Sequence, residues 1–122
     1  MSVILLVEDV EDNRELARML LEVSGYDVIE AHTGTEAIAQ ARAHRPALIL
    51  MDLSLPEMDG WEATRLIQAD PATAHIPIVA VTAHAMAGDR DRVMAAGFVG
   101  YITKPIEVSG FADEVGQYLS AG

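Results

Sequence analysis

Short apolar runs alternate five times with stretches that carry apolar residues at helical spacing. The first run is residues 3–7, closed by Glu8-Asp9. Leu16, Met19, Leu20 and Val23 then fall at i, i+3, i+4 and i+7, which predicts a helix with these side chains on its inner face, stopped at Gly25. Asp12 and Asn13 are placed to cap or charge its start. A second strand over about residues 27–31 leads through Thr33-Gly34 into a helix carrying Ala37, Ile38 and Ala41, ended by Pro46. Residues 47–52 are apolar at every position up to a final carboxylate, Asp52. Such a run predicts a strand covered on both faces, as in a parallel sheet. Residues 55–60 read as a loop by their turn chemistry, with Asp59 as cap of a third helix over about 61–69. Pro77 opens a fourth strand that delivers Thr82 to its end. A helix over about 87–96 stops at Gly97, and a fifth strand over 99–103 is followed by Lys104-Pro105. Phe111, Val115, Tyr118 and Leu119 mark the inner face of a last helix.

Strict strand–helix alternation predicts parallel strands, right-handed crossovers and helices on both faces. The expected fold is therefore α/β, a doubly wound (βα)5 arrangement in three layers. At 122 residues, with no linker or repeat, residues 1–122 are expected to be a single domain with no room for an output domain.

Composition narrows the chemistry. Nineteen acids against eight bases give a formal net charge of −11, with no basic cluster to meet a phosphate backbone or an anionic membrane surface. Direct nucleic-acid and membrane partners are not expected. The N-terminal apolar run is cut off by Glu8-Asp9, so it is neither a signal peptide nor a membrane span. With no cysteine there is no disulfide framework and no thiol catalysis, which fits a reducing, cytoplasmic setting.

Four of the five strands finish in polar residues at one edge of the sheet: Glu8-Asp9, Asp52, Thr82 and Lys104. Singly, each has a bland reading as a loop acid, a turn residue, a polar strand end or a surface lysine. Together they form a carboxylate cluster with one hydroxyl and one ammonium. Two like charges at about 4 Å repel by roughly 4 kcal/mol at an effective dielectric near 20, so three crowded carboxylates favour a cation. Oxygen donors without His or Cys select a hard ion, Mg²⁺ or Mn²⁺, which keeps positions open for water and phosphate. Lysine and hydroxyl beside such an ion are phosphate-reading groups.

In this order and spacing the sequence resembles the receiver domains of two-component response regulators along its whole length. The residues that carry the resemblance are Glu8-Asp9, Asp52, Pro56, Asp59-Gly60, Thr82-Ala83, Tyr101 and Lys104-Pro105. Among receivers it is most similar to the stand-alone single-domain type and to those attached to hybrid sensor kinases. The resemblance implies a flavodoxin-like sheet of order 2-1-3-4-5 and a phosphorelay role. Asp52 would accept a phosphoryl group from a phosphohistidine on a sensor histidine kinase or a histidine phosphotransfer protein. Glu8, Asp9, Asp52 and the Ser54 backbone carbonyl would hold Mg²⁺ (or Mn²⁺), with Glu8 acting through water. Lys104 and Thr82 would take phosphoryl oxygens, and Tyr101 would follow Thr82 inward. That movement would remodel a surface of fourth helix, fifth strand and fifth helix for a downstream protein partner. The Lys104–Pro105 bond is expected to be cis. No turnover of an external substrate is expected beyond self-catalysed phosphoryl transfer and slow autodephosphorylation.

Ser54 and His84 lie where they can tune attacking water and hence phosphate lifetime. His32, His44 and His75 read as surface residues, Trp61 as packing for the third helix without a stacking role, and the methionines as core filling, with Met86 and Met94 near the partner surface. Glu8 stands where many receivers have a second aspartate. A nucleotide hydrolase reading of residues 48–52 fails for want of a G-x-x-x-x-G-K-[ST] loop. A dehalogenase-type phosphohydrolase would need D-x-D, whereas Leu53-Ser54 follows Asp52, and Glu8-Asp9 occupies the turn that a dinucleotide fold fills with glycine. The remaining alternatives are a phosphate-independent pseudo-receiver and a receiver belonging to a longer hybrid kinase.

Overall fold

The computed structural model describes residues 2–83 and 87–121. Its elements run β1 (Val3–Val7), α1 (Glu11–Val23), β2 (Asp27–Ala31), α2 (Gly34–His44), β3 (Leu48–Asp52), α3 (Gly60–Ala69), β4 (Ile78–Thr82), α4 (Ala87–Ala95), β5 (Gly100–Thr103) and α5 (Phe111–Ala121). All four strand pairings are parallel and the order is β2-β1-β3-β4-β5. This is the expected doubly wound, flavodoxin-like arrangement. Between β1 and β3 the chain's winding reverses, which opens a crevice at the carboxyl ends of those strands.

Two cores follow from the period of two along each strand. On one face Leu5, Val7, Ile49, Met51, Ile78 and Ala80 pack with Ala37 and Ala41 of α2, Ala63 and Ile67 of α3, and Val93 of α4. On the other, Ile4, Leu6, Leu48, Leu50, Val79, Val81 and Ile102 meet Ala17 and Leu21 of α1 and Phe111 and Val115 of α5. Both central strands, β3 and β4, are buried at every residue, which is why their sequences lack polar alternation.

The phase of α1 differs from expectation. Ala17 and Leu21 are its buried residues, with Leu20 packed partly beside them, while Met19 and Val23 are 55% and 83% exposed. The small Ala17 lets the helix lie close to the sheet, and the i, i+3, i+4 pattern of larger side chains sits one residue out of phase with the contact. Of the two roles expected for Asp12 and Asn13, capping does not occur, because the N-cap is Val10 with no side-chain cap bond, but Asp12 with Glu11 charges the first turn of α1. Asp59 does cap α3, accepting from the Glu62 N–H at 2.9 Å. Gly60 is required immediately after it, because a Cβ there would overlap the Asp52 carbonyl oxygen. The absent side chain lets the first turn of α3 cross directly over the end of β3.

Candidate functional site

Glu8 leaves β1, Asp52 ends β3, Thr82 ends β4 and Lys104 follows β5, so register alone brings them to one sheet edge. Glu8, Asp52 and Thr82 are buried, Asp9 is exposed and Lys104 is half-buried. Lys104 Nζ lies 2.9 Å from both Asp52 Oδ2 and Glu8 Oε1, joining two strands by one ammonium. Asp52 Oδ1 accepts from the Ser54 N–H at 2.8 Å, and Glu8 Oε2 accepts from the Val10 N–H at 3.2 Å. The Lys104 N–H in turn donates to the Thr82 carbonyl at 2.8 Å, which fixes the start of the β5–α5 loop against β4. The Lys104–Pro105 peptide bond is cis.

Burial raises the Glu8 carboxyl above the usual glutamate range, and the neighbouring Asp52 adds to the rise; the Lys104 bond opposes it. For Lys104 burial pulls downward, yet its bonds to Asp52 and Glu8 outweigh this and leave the ammonium more basic than usual. Glu8, Asp9 and Asp52 each offer a carboxylate oxygen, and these oxygens lie within 4.8 Å of one another. An all-oxygen donor set of this charge fits a hard dication such as Mg²⁺.

Two hollows flank the cluster. One of about 330 Å³ lies beside Glu8 and Lys104 and is lined by Asn13, Leu16, Ala83, Pro105 and Ile106. The other, about 350 Å³, is bordered by Ser54, Thr82, Trp61, Asp89 and Arg92. Trp61 packs α3 onto the core as the sequence reading expects, and it makes two further contacts. Its ring meets Phe98 edge-on at 5.5 Å and carries the Arg92 guanidinium 5.4 Å from its centroid. It therefore ties α3 to the α4 side in addition to packing on the core.

Tyr101 is half-buried against the α2–α3–α4 core, and its carbonyl accepts from the Tyr118 phenol at 3.3 Å. Ser54 is exposed, as are His32, His44 and His75; His84 and Met86 lie outside the described residues. Met51 fills the core as expected and Met94, placed by the sequence near the outer surface, is about half exposed, whereas Met19 is also about half exposed and does not fill the core. Sequence reading missed Arg14, which donates from Nη1 to the Glu8 carbonyl at 3.0 Å. The available signal was modest: Arg14 is the first basic residue in the chain, just after a run of four acids among six residues.

The fold is a doubly wound parallel α/β sheet with an acidic cluster and a lysine in the crevice where sheets of this class bind ligands. Within that class, the model of the response regulator receiver domain matches residues 4–115. The chain belongs to this family, whose members act in two-component signalling. Among its relatives is the polar-differentiation response regulator DivK of Brucella anthropi, 47% identical over 116 residues, covering 95% of this chain and 94% of that one. Among solved structures, chemotaxis protein CheY4 of Vibrio cholerae superposes with a TM-score of 0.90 at 25% identity, covering 97% and 98% of the two chains. The receiver domain of the Pseudomonas aeruginosa sensor histidine kinase PA1611, which carries a magnesium ion in its active-site cleft, gives 0.88 at 35% identity over 98% of each chain. Among the described residues no helix is long and apolar enough to cross a membrane.

Proposed function

We propose that the chain is a single-domain phosphoacceptor of a phosphorelay, with Asp52 as the residue that takes the phosphoryl group. The observation that carries this reading is the buried Asp52 carboxylate at the switch point, bonded to Lys104 Nζ at 2.9 Å and flanked by Glu8 and Asp9. The donor is a phosphohistidine on a histidine kinase or a histidine phosphotransfer protein. An Asp52 oxygen attacks phosphorus in line, the P–N bond breaks, and the imidazole leaves with its electron pair. Ser54 N–H holds one Asp52 oxygen and so limits rotation of the carboxylate. Lys104 moves from its carboxylate partners to a phosphoryl oxygen, and the Thr82 hydroxyl takes another.

Glu8, Asp9, Asp52 and the Ser54 carbonyl would hold Mg²⁺, with Glu8 acting through water; bound there, the ion neutralises charge on the phosphoryl oxygens. A phosphoryl group adds nearly two negative charges, so the chain's own answer rests on Lys104 and Thr82. Thr82 moves toward the phosphate, and the Tyr101 ring follows into the space vacated. Its present half-buried position, with the backbone held by Tyr118, supports a ring that shifts while the strand stays in place. Output is a phosphorylation-dependent change at the α4–β5–α5 face, where Met94 and Val99 are exposed, read by a downstream protein. Autodephosphorylation is slow, Ser54 and His84 tune it, and no external substrate is turned over. Incubation with a phosphotransfer protein carrying radiolabelled phosphohistidine tests the reading. Label should move to the chain in a form cleaved by hydroxylamine, as an acyl phosphate is. Label that stays on the donor, or a product stable to hydroxylamine, contradicts it.

A further inference from the structure

Resting on the metal-assisted reading of the same site, we infer that Arg14 is a positioning residue for the acidic loop and sets its affinity for the divalent ion. The loop between β1 and α1 is only Glu8, Asp9 and Val10. Its helix end lacks a side-chain cap, and the Glu8 carboxylate holds the Val10 N–H at 3.2 Å, so the loop's geometry depends on how the Glu8 backbone is held. The Glu8 backbone is held at both of its peptide units: its N–H donates to the Ala31 carbonyl at 3.1 Å, and its carbonyl accepts from Arg14 Nη1 at 3.0 Å. That carbonyl belongs to the peptide unit leading into Asp9, the exposed member of the carboxylate cluster. Arg14 is itself fixed, with Nε 3.2 Å from Glu30 Oε2 on β2 and a side chain only 12% exposed. Arg18 Nη1 holds the other Glu30 oxygen at 2.8 Å, and Gln40 Nε2 holds the Glu30 carbonyl at 3.1 Å. A guanidinium locked between β2 and a loop carbonyl transmits the position of the sheet edge to Asp9.

Charge and position predict opposite signs, which makes the idea testable. Arg14 is a cation near a cation site, so its removal by charge alone would tighten Mg²⁺. Loss of its bond to the Glu8 carbonyl frees Asp9 and would weaken Mg²⁺. Outer-shell partners of metal ligands typically change affinity by 10–100-fold. Calorimetric titration of the full chain with MgCl₂ should give binding roughly 10-fold weaker in Arg14→Gln than in wild type. Arg14→Lys should recover part of that loss, and Glu30→Gln should weaken binding less than Arg14→Gln. Arg18→Gln, which shares Glu30 without touching the loop, should match wild type. Should Arg14→Gln fail to fold, Arg14→Lys and Glu30→Gln carry the comparison. Equal or tighter binding in the folded Arg14 and Glu30 variants overturns the positioning role while leaving the metal reading intact. Absence of Mg²⁺ binding by the wild type overturns both.

Discussion

Replacement of Lys104 by methionine removes one cation from two buried carboxylates while keeping most of its volume. At 2.9 Å each contact has a Coulomb attraction of about 6 kcal/mol at an effective dielectric near 20. Those gross values are offset by the desolvation of all three groups, and breaking a buried pair from one side costs ~3–5 kcal/mol net. Two features of the site hold the loss to the lower end. The Lys104 side chain keeps 19% of its exposure, and burial already pushes Glu8 towards protonation, so a proton can replace the lost ammonium. The expected loss is therefore about 3 kcal/mol near neutral pH, or roughly 10 °C in Tm for a domain of this size. Because Lys104 has a raised pKa, its contribution is fully present below the usual lysine value and is lost as pH rises through the folded-state value. A divalent ion among the same carboxylates should substitute for the missing charge. Urea denaturation followed by circular dichroism, with and without millimolar Mg²⁺, should show a large deficit in the metal-free variant and a much smaller one with the ion. A metal-free loss under about 1 kcal/mol, or equal stabilisation of wild type and variant by Mg²⁺, would refute the idea that Lys104 neutralises the cluster.

Thr64 Oγ1 on α3 is buried without a hydrogen-bond partner among the described residues. Thr64→Val should consequently be neutral or stabilise by up to about 1 kcal/mol in the same denaturation assay; a comparable loss would reveal a hidden partner. Burial and the charge of Glu107 raise the Glu114 carboxyl, so the fold favours its protonated form. Stability should fall as pH rises from the ordinary glutamate range through the raised value, and Glu114→Gln should flatten that decline. Parallel pH slopes for the two proteins would contradict this.

The sheet was the most legible part of the chain because full burial leaves an unmistakable pattern. Residues 48–52 and 78–82 had no polar alternation to mislead, and Asp52 and Thr82 fell at the ends of their strands. Asp59 was legible as a cap because the bond it makes is local, reaching the Glu62 N–H. The inner face of α1 was not. Helical periodicity there followed the large side chains, whereas contact with the sheet favoured the smaller Ala17 and the adjacent Leu21. The pairing of Lys104 with Glu8 as well as Asp52 also needed coordinates. Sequence places both at the edge, but nothing in the spacing shows that Glu8 pairs with the lysine in addition to facing the metal site. The contacts of Arg14 and the Arg92 contact of Trp61 escaped for a related reason. Their partners, Glu30 and Arg92, lie 16 and 31 residues away, and no spacing rule connects a helix side chain to a neighbouring strand or helix.

The central claim is that Asp52 accepts a phosphoryl group with help from a divalent ion, and intact-mass spectrometry after incubation with acetyl phosphate tests it most directly. Wild type with Mg²⁺ should gain the mass of one phosphoryl group, and the gain should disappear in Asp52→Asn and on chelation of the ion. An unchanged wild-type mass under conditions where Mg²⁺ binds, or a gain that survives in Asp52→Asn, would contradict the account.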